Sequence, residues 1–269
     1  MPVLKAEEPV TTAQEEQVPG KMKVFLIRGE ATVTFENGKT VPLKRGMEFI
    51  AHGATINTKD GSAVYLIAEN GTGSNIGPNS TLHVKIYKQA AFDQSKGIYQ
   101  LAGKNIGDST THLVLNRGEV ASDVKSDIGL YQLETKAAKA DVTGSTFHTS
   151  FDPGPEPDEF VHKTLTLNKR TKDGLVTLKP SEEQFTNVQR FDALSAGGGS
   201  RSVISSESGA GEEGQAINVP PGVEVTIRGK GGLDITRVDD VRLANLFRGI
   251  LGTAPIYSPD NSIISPSGG

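Results

Sequence analysis

Residues 111–151 read THLVLNRGEVASDVKSDIGLYQLETKAAKADVTGSTFHTSF, from Thr111 to Phe151, and this stretch decides the fold class. It predicts a strand, a tight corner at Arg117-Gly118, and two further strands that end in Val142-Thr143-Gly144-Ser145-Thr146-Phe147. Nothing in it has the makings of a catalytic centre. Its pattern is that of a packed β domain, and the rest of the chain repeats it.

Working outward, turn dipeptides separate runs of strand-like residues. Val24-Phe25-Leu26-Ile27 stops at Arg28-Gly29, after which Ala31, Val33 and Phe35 alternate with polar residues. Asn37-Gly38 follows, and a type I′ hairpin turn, with positive φ at both central positions, is the expectation there. Asp60-Gly61, Asn70-Gly71 and Asp173-Gly174 punctuate further runs, the last joining Leu165-Thr166-Leu167 to Leu175-Val176-Thr177-Leu178. Together they predict a mainly β fold, an antiparallel β-sandwich or β-roll of many short strands. Arg-Gly recurs at Arg28-Gly29, Arg117-Gly118 and Arg228-Gly229, where glycine relieving a bend or bulge is the expected role.

One short amphipathic helix is predicted near the C-terminus. Leu243, Leu246, Phe247, Ile250 and Leu251 form a continuous apolar stripe, with Asp239 as N-cap and Gly252 at the C-terminal stop. Two strands precede it, around Gln215 to Val219 and Val223 to Arg228.

The organisation expected is a flexible arm over 1–20, a β domain over 21–195, and a Gly/Ser-rich loop or linker over 196–214. Additional strands and the helix, packed on the β domain, follow over 215–252, with a loose tail over 253–269. The pattern loosens between Lys88 and Gly107, as a long connection or insertion would. The proline-bearing arm is a candidate for strand donation to a neighbouring molecule.

Composition narrows the function classes. The 269 residues carry a formal charge of −4, which gives no reason to expect nucleic acid as a partner. The absence of cysteine excludes disulfides, thiolate metal sites and cysteine nucleophiles. No apolar run approaches the ~20 residues of a membrane span. No signal peptide is visible, so a periplasmic or extracellular location assumes that a leader was removed.

Several motifs fail on inspection. Gly209-Ala210-Gly211-Glu212-Glu213-Gly214 spells G-x-G-x-x-G, but a Ser-rich stretch precedes it, and its two glutamates would repel phosphate. The five histidines, His52, His83, His112, His148 and His162, show no metal-ligand spacing. His148 and His162 could face each other outward across a hairpin near Asp152, Asp158 and Glu159, which makes a weak metal site there the one alternative to a solvated face. No G-x-S-x-G elbow exists. Asn70-Gly71-Thr72 and Asn79-Ser80-Thr81 are glycosylation sequons. No catalytic, cofactor-binding or metal-binding residue is assigned, and no cofactor is expected.

Four blocks resemble a FecR-like domain, the β domain of iron-dicitrate regulator type proteins. Gly29-Glu30-Ala31-Thr32-Val33 resembles its opening strand, and Val41-Pro42-Leu43-Lys44-Arg45-Gly46-Met47 through Thr58 its next segment. Ile76-Gly77-Pro78-Asn79-Ser80 resembles its central turn. Gly118-Glu119-Val120, Leu133-Glu134-Thr135 and Val142-Thr143-Gly144-Ser145-Thr146-Phe147 resemble its close, with Thr143 where the family carries arginine and no proline after Thr135. The sigma-binding segment and membrane span of the full regulator are not seen. The resemblance implies an extracytoplasmic, non-enzymatic module that engages another envelope protein or copies of itself. A cupin-like metal or small-molecule-binding protein is the rival, because Glu48-Phe49-Ile50-Ala51-His52-Gly53 resembles the turn that places a cupin histidine. A carbohydrate-binding module is a second alternative, disfavoured by the absence of tryptophan.

Overall fold

Alternating apolar residues bury one face of each strand, and the computed structural model shows two sheets packed on those faces. It describes residues 17–91, 109–125, 128–169, 171–181, 204–205, 216–229, 232–239, 241–243, 256–257 and 263–264. The strands in chain order begin with β1 (Gln17–Pro19), β2 (Lys21–Arg28), β3 (Ala31–Thr34), β4 (Thr40–Pro42) and β5 (Glu48–Ile50). Next come β6 (Thr55–Thr58), β7 (Ala63–Ala68), β8 (Gly73–Ile76), β9 (Thr81–Ala90) and β10 (Ser109–Asp123). Then follow β11 (Gly129–Glu134), β12 (Ala138–Thr143), β13 (Ser145–Pro153), β14 (Phe160–Lys169) and β15 (Leu175–Pro180). The last of the two sheets are β16 (Ile204–Ser205), β17 (Ala216–Asn218), β18 (Val223–Arg228) and β19 (Gly232–Arg237). A separate two-residue pair, β20 (Ile256–Tyr257) with β21 (Ile263–Ile264), stands apart.

The first sheet runs β4-β3-β6-β9-β10-β11-β12-β15-β17-β16, with β1 beside β6 along the same edge of β9. The second runs β5-β2-β7-β8-β10-β13-β14-β18-β19. β10 belongs to both. Its residues up to Arg117 pair with β9 in the first sheet, and those from Gly118 pair with β8 and β13 in the second. The predicted corner at Arg117-Gly118 is therefore real, but the strand passes through it. β17, β18 and β19 extend the same two sheets and share their core. The expected flexible arm ends in a strand, β1, which pairs with the chain's own β9; residues 1–16 lie outside the described residues, as does most of 196–214.

The bend explains the one parallel pair among these strands, β10 with β11, in register from Ser109↔Gly129 to Val114↔Glu134. Parallel neighbours need a long crossover. Here the second half of β10 is that crossover: it carries the chain into the other sheet, and the return brings β11 alongside the first half.

Two of the four turn dipeptides close hairpins. Asn37-Gly38 joins β3 to β4 and Asn70-Gly71 joins β7 to β8. Neither is type I′, because Asn37 and Asn70 keep negative φ while Gly38 and Gly71 take +79° and +81°. Gly38 N–H donates to Phe35 O at 2.8 Å and Phe35 N–H to Lys39 O at 2.9 Å; Ala68 and Gly71 repeat the pattern. Each is a type I turn closed by a left-handed glycine, the three-residue form. Asp60-Gly61 and Asp173-Gly174 are not hairpins. They carry the chain between sheets, from β6 to β7 and from β14 to β15.

Between the sheets lies one apolar core, including Val24, Ile56, Leu66, Leu82, Leu113, Phe147 and Val225. Each such side chain contributes about 1.5–3 kcal/mol by leaving water. A satellite cluster of Leu165, Leu167, Val238 and Leu243 lies on the other face of β14. The helix starts there: Asp239 Oδ1 accepts the Arg242 N–H at 2.8 Å, and Asp239 O accepts that of Leu243 at 3.0 Å. The predicted N-cap is thus in place, and Arg242 forks onto the Glu224 carboxylate at 2.7 and 3.4 Å. Leu246, Phe247, Ile250 and Leu251 lie outside the described residues.

Candidate protein-contact site

Both sheets begin at the same end of the molecule, with edge strands of opposite character. β4, the edge of the first sheet, contains Pro42, which has no N–H to offer, and exposed Lys39, Lys44 and Arg45 flank it. Proline and lysine are the usual defences of an edge against strand addition. β5, the edge of the second, lacks them: it pairs with β2 on one side and, among the described residues, with nothing on the other. Its Ile50 side chain is 54% exposed.

A cleft of about 650 Å³ opens beside β5, lined by Phe35, Glu36, Asn37, Met47, Glu48, Phe49, Ile50 and His52. The β3–β4 turn forms one wall and β5 the other. Phe35 and Phe49 meet edge to face across it, centroids 6.3 Å apart. The floor is thus apolar, and the carboxylates stand at the rim. Glu48 is held by Lys23 Nζ at 2.9 Å. A surface of this kind can take an extended segment, main chain against β5 and an apolar side chain into the cleft. At the far end of the second sheet β19 also lacks a partner on its outer side among the described residues, with Asp234 paired to Arg228.

The histidines do not assemble. His52 Nδ1 accepts the Tyr87 N–H at 3.3 Å, and His83 Nδ1 lies 3.0 Å from Thr55 Oγ1. His112 Nε2 meets Glu134 at 2.6 Å. The cupin-like turn therefore uses its histidine to hold backbone. His148 and His162 do not face each other, because His148 pairs with Leu165 and His162 with Phe151, positions of opposite parity. His148 points outward to Glu119 Oε2 at 3.2 Å, a hydrogen bond that holds the glutamate below the usual carboxylate range against the opposing effect of its partial burial. His162 is buried between Thr135 and Thr164, at 3.0 and 2.9 Å, and burial pushes its pKa down to about 3. No three His, Asp or Glu side chains come together as a metal site among the described residues. Of the sequons, Asn70 is buried with its Nδ2 bonded to Ser109, and Asn79 is exposed with its Nδ2 on Asp60.

The recurrent Arg-Gly pairs resolve into two devices. Gly29 and Gly118 both sit where the chain crosses between sheets, at φ of +71° and +89°. In each case the following glutamate donates its N–H to a serine Oγ at 2.9 Å, Glu30 to Ser62 and Glu119 to Ser80. At Gly229 an added Cβ would lie 1.8 Å from Asp158 O, so glycine admits the tip of the β13–β14 hairpin.

The fold is that of a two-layer β protein in which β5 is an edge strand of the second sheet among the described residues. No known family profile matches the chain, and no curated protein resembles it in sequence. Two crystal structures of a protein assigned as an anti-sigma factor from Parabacteroides distasonis overlap it with a TM-score of 0.43 in both cases, at 12% and 11% identity. The overlap covers 72% of this chain and 65% and 64% of theirs. That level of likeness carries no argument about partner or activity, so the functional reading rests on the molecule itself.

Proposed function

We propose that this chain is a non-enzymatic β protein of the bacterial envelope or exterior that works by protein contact, accepting an extended segment of a partner protein along β5. The observation that supports it is the β5 edge, which carries no proline or lysine and exposes Ile50, next to a cleft lined by Phe35, Met47 and Phe49. Main-chain hydrogen bonds would supply affinity and the cleft would select a large apolar side chain. The FecR-like blocks in the sequence favour a place outside the cytoplasm.

The test is association measured by light scattering across concentration and by titration with envelope proteins. Wild type is compared with Ile50→Lys and with a chain lacking residues 1–16. A lysine on the edge blocks strand addition, so Ile50→Lys should weaken association at least tenfold, and a matching loss on removal of residues 1–16 would identify the arm of a second copy as the added strand. If the strand added at β5 comes from a second copy, the loss appears in self-association. Association that survives Ile50→Lys at full strength, or a wild-type chain that binds neither itself nor any envelope protein, removes the reading.

A further inference from the structure

The core between the sheets is not apolar throughout. Across β9, β10 and β11 the inner face carries Tyr87, Thr111 and Tyr131 in one row, and Gln89 and Ser109 in the row beside it. All five are buried, as are Asn70, Thr72, Ser74 and Ser122. Two hydrogen-bonded groups result. In one, Tyr131 Oη donates to Ser122 Oγ at 2.9 Å, and Ser122 and Ser74 share a bond of 2.9 Å. In the other, Tyr87 Oη accepts the Asn70 N–H at 3.1 Å and donates to Gln89 Oε1 at 2.8 Å. Asn70 Nδ2 reaches Ser109 Oγ at 3.0 Å, and Asn70 Oδ1 accepts the Thr72 N–H at 3.0 Å. Burial raises both tyrosine pKa values, Tyr131 to about 12, so the phenols stay protonated donors.

Three side-chain atoms of this seam have no hydrogen-bond partner among the described residues: Thr111 Oγ1, Gln89 Nε2 and Thr72 Oγ1. Buried polar groups without a hydrogen-bond partner are rare in folded proteins, and ordered water is a common way to satisfy them. Thr111 lies directly between the two tyrosines, one per group, and Gln89 is its diagonal neighbour on β9, within about 7–8 Å in a regular pair.

We infer that a buried water molecule bridges Thr111 Oγ1 and Gln89 Nε2. The amide donates to its oxygen and it shares a hydrogen bond with the threonine hydroxyl. Neither a cation, which the Gln89 amide hydrogens would repel, nor an anion, for which these groups offer no positive charge, fits as well. The water removes two of the three orphan atoms and ties the Thr111 hydroxyl to the Tyr87 group through Gln89. Buried polar seams hold such waters as structural parts.

Thr111→Val decides the matter by its sign, since valine keeps the shape. If the seam is dry, valine removes an unsatisfied hydroxyl and the melting temperature holds or rises. If the water is present, valine strips it of a partner and the melting temperature falls by several degrees, with Thr111→Ser recovering most of the loss. A cycle with Gln89→Met adds the second readout: losses that share one water fall short of additive, and loss of the Tyr87 bond cancels. A crystal structure that resolves solvent should show the water within hydrogen-bond distance of both side chains. An unchanged or raised melting temperature with Thr111→Val, strictly additive losses, or an empty seam overturns the inference.

Discussion

The corners at Gly29 and Gly118 and the turn at Gly229 share the dipeptide Arg-Gly and differ in everything else. At the first two the chain leaves one sheet for the other, φ is positive, and a serine from another turn receives the next N–H. At the third the chain stays within the second sheet, and glycine is needed only because Asp158 O lies where a Cβ would be. A dipeptide reports that a side chain is not tolerated. Why it is not tolerated depends on what the fold brings against it.

The comparison can be broken most directly with alanine. Gly118→Ala should be the most damaging of the three, about 3–5 kcal/mol from left-handed strain plus overpacking. Its Cβ would lie 2.5 Å from the Ser80 Cα, which is main chain and cannot swing away. Gly29→Ala should cost about 2 kcal/mol, since the strain remains but the close atom is the Ser62 hydroxyl. Gly229→Ala adds no left-handed strain, but its Cβ would meet the main-chain Asp158 O, so overpacking alone should cost about 1–3 kcal/mol and push the 153–159 tip away, opening it to proteolysis while the sheets hold. Denaturant midpoints and limited proteolysis check the order; equal losses at Gly118 and Gly229 would erase the distinction.

Acid sharpens it next. His162 is neutral when folded, so the unfolded chain binds the extra proton between its ordinary value of 6.5 and about 3. Its contribution to stability is complete above pH 6.5 and is lost as pH falls through that window. Glu119, with its folded pKa lowered chiefly by the His148 hydrogen bond, contributes in the same direction, at lower pH, as it becomes protonated. Glu30 at the sister corner is also lowered, by Lys59, but is fully exposed. Titrating stability against pH should therefore give a flatter acid limb for His162→Gln. His148→Gln should change the limb below the carboxylate range, and Lys59→Ala should leave it unchanged.

The serines give the smallest effects. Ser80→Ala leaves the Glu119 N–H without its acceptor in a half-buried corner, costing about 1–2 kcal/mol. Ser62→Ala should cost half of that or less, since solvent reaches the Glu30 corner. Thermal melts of the two variants measure the difference.

Much of this was legible locally. The Asp239 cap was read from its place before an apolar stripe, and a cap is made by a side chain with its own next turn. The strands at Val223–Arg228 and Ala216–Asn218 fell where alternation placed them. The pairing of His148 with His162 did not hold, because which face each occupies depends on the hairpin register, and a shift of one residue inverts it. β5, a strand of three residues, carried too little pattern to be seen as an edge, and the cleft beside it draws Phe35 from another hairpin. The polar seam had no signal at all: Tyr87, Thr111 and Tyr131 are ordinary strand residues until pairing aligns them.

From the sequence by itself came the β class, the turns that need glycine, the helix start, and the exclusion of cysteine chemistry. These depend on one residue's φ, on its neighbours within a turn, or on composition. Tertiary structure alone decided that Asp60-Gly61 crosses between sheets while Asn70-Gly71 closes a hairpin. It also decided that β10 serves both sheets and that β5 rather than β4 is the open edge. Those outcomes depend on contacts between residues tens of positions apart, and in a sheet such contacts follow from register, which no short window of sequence contains.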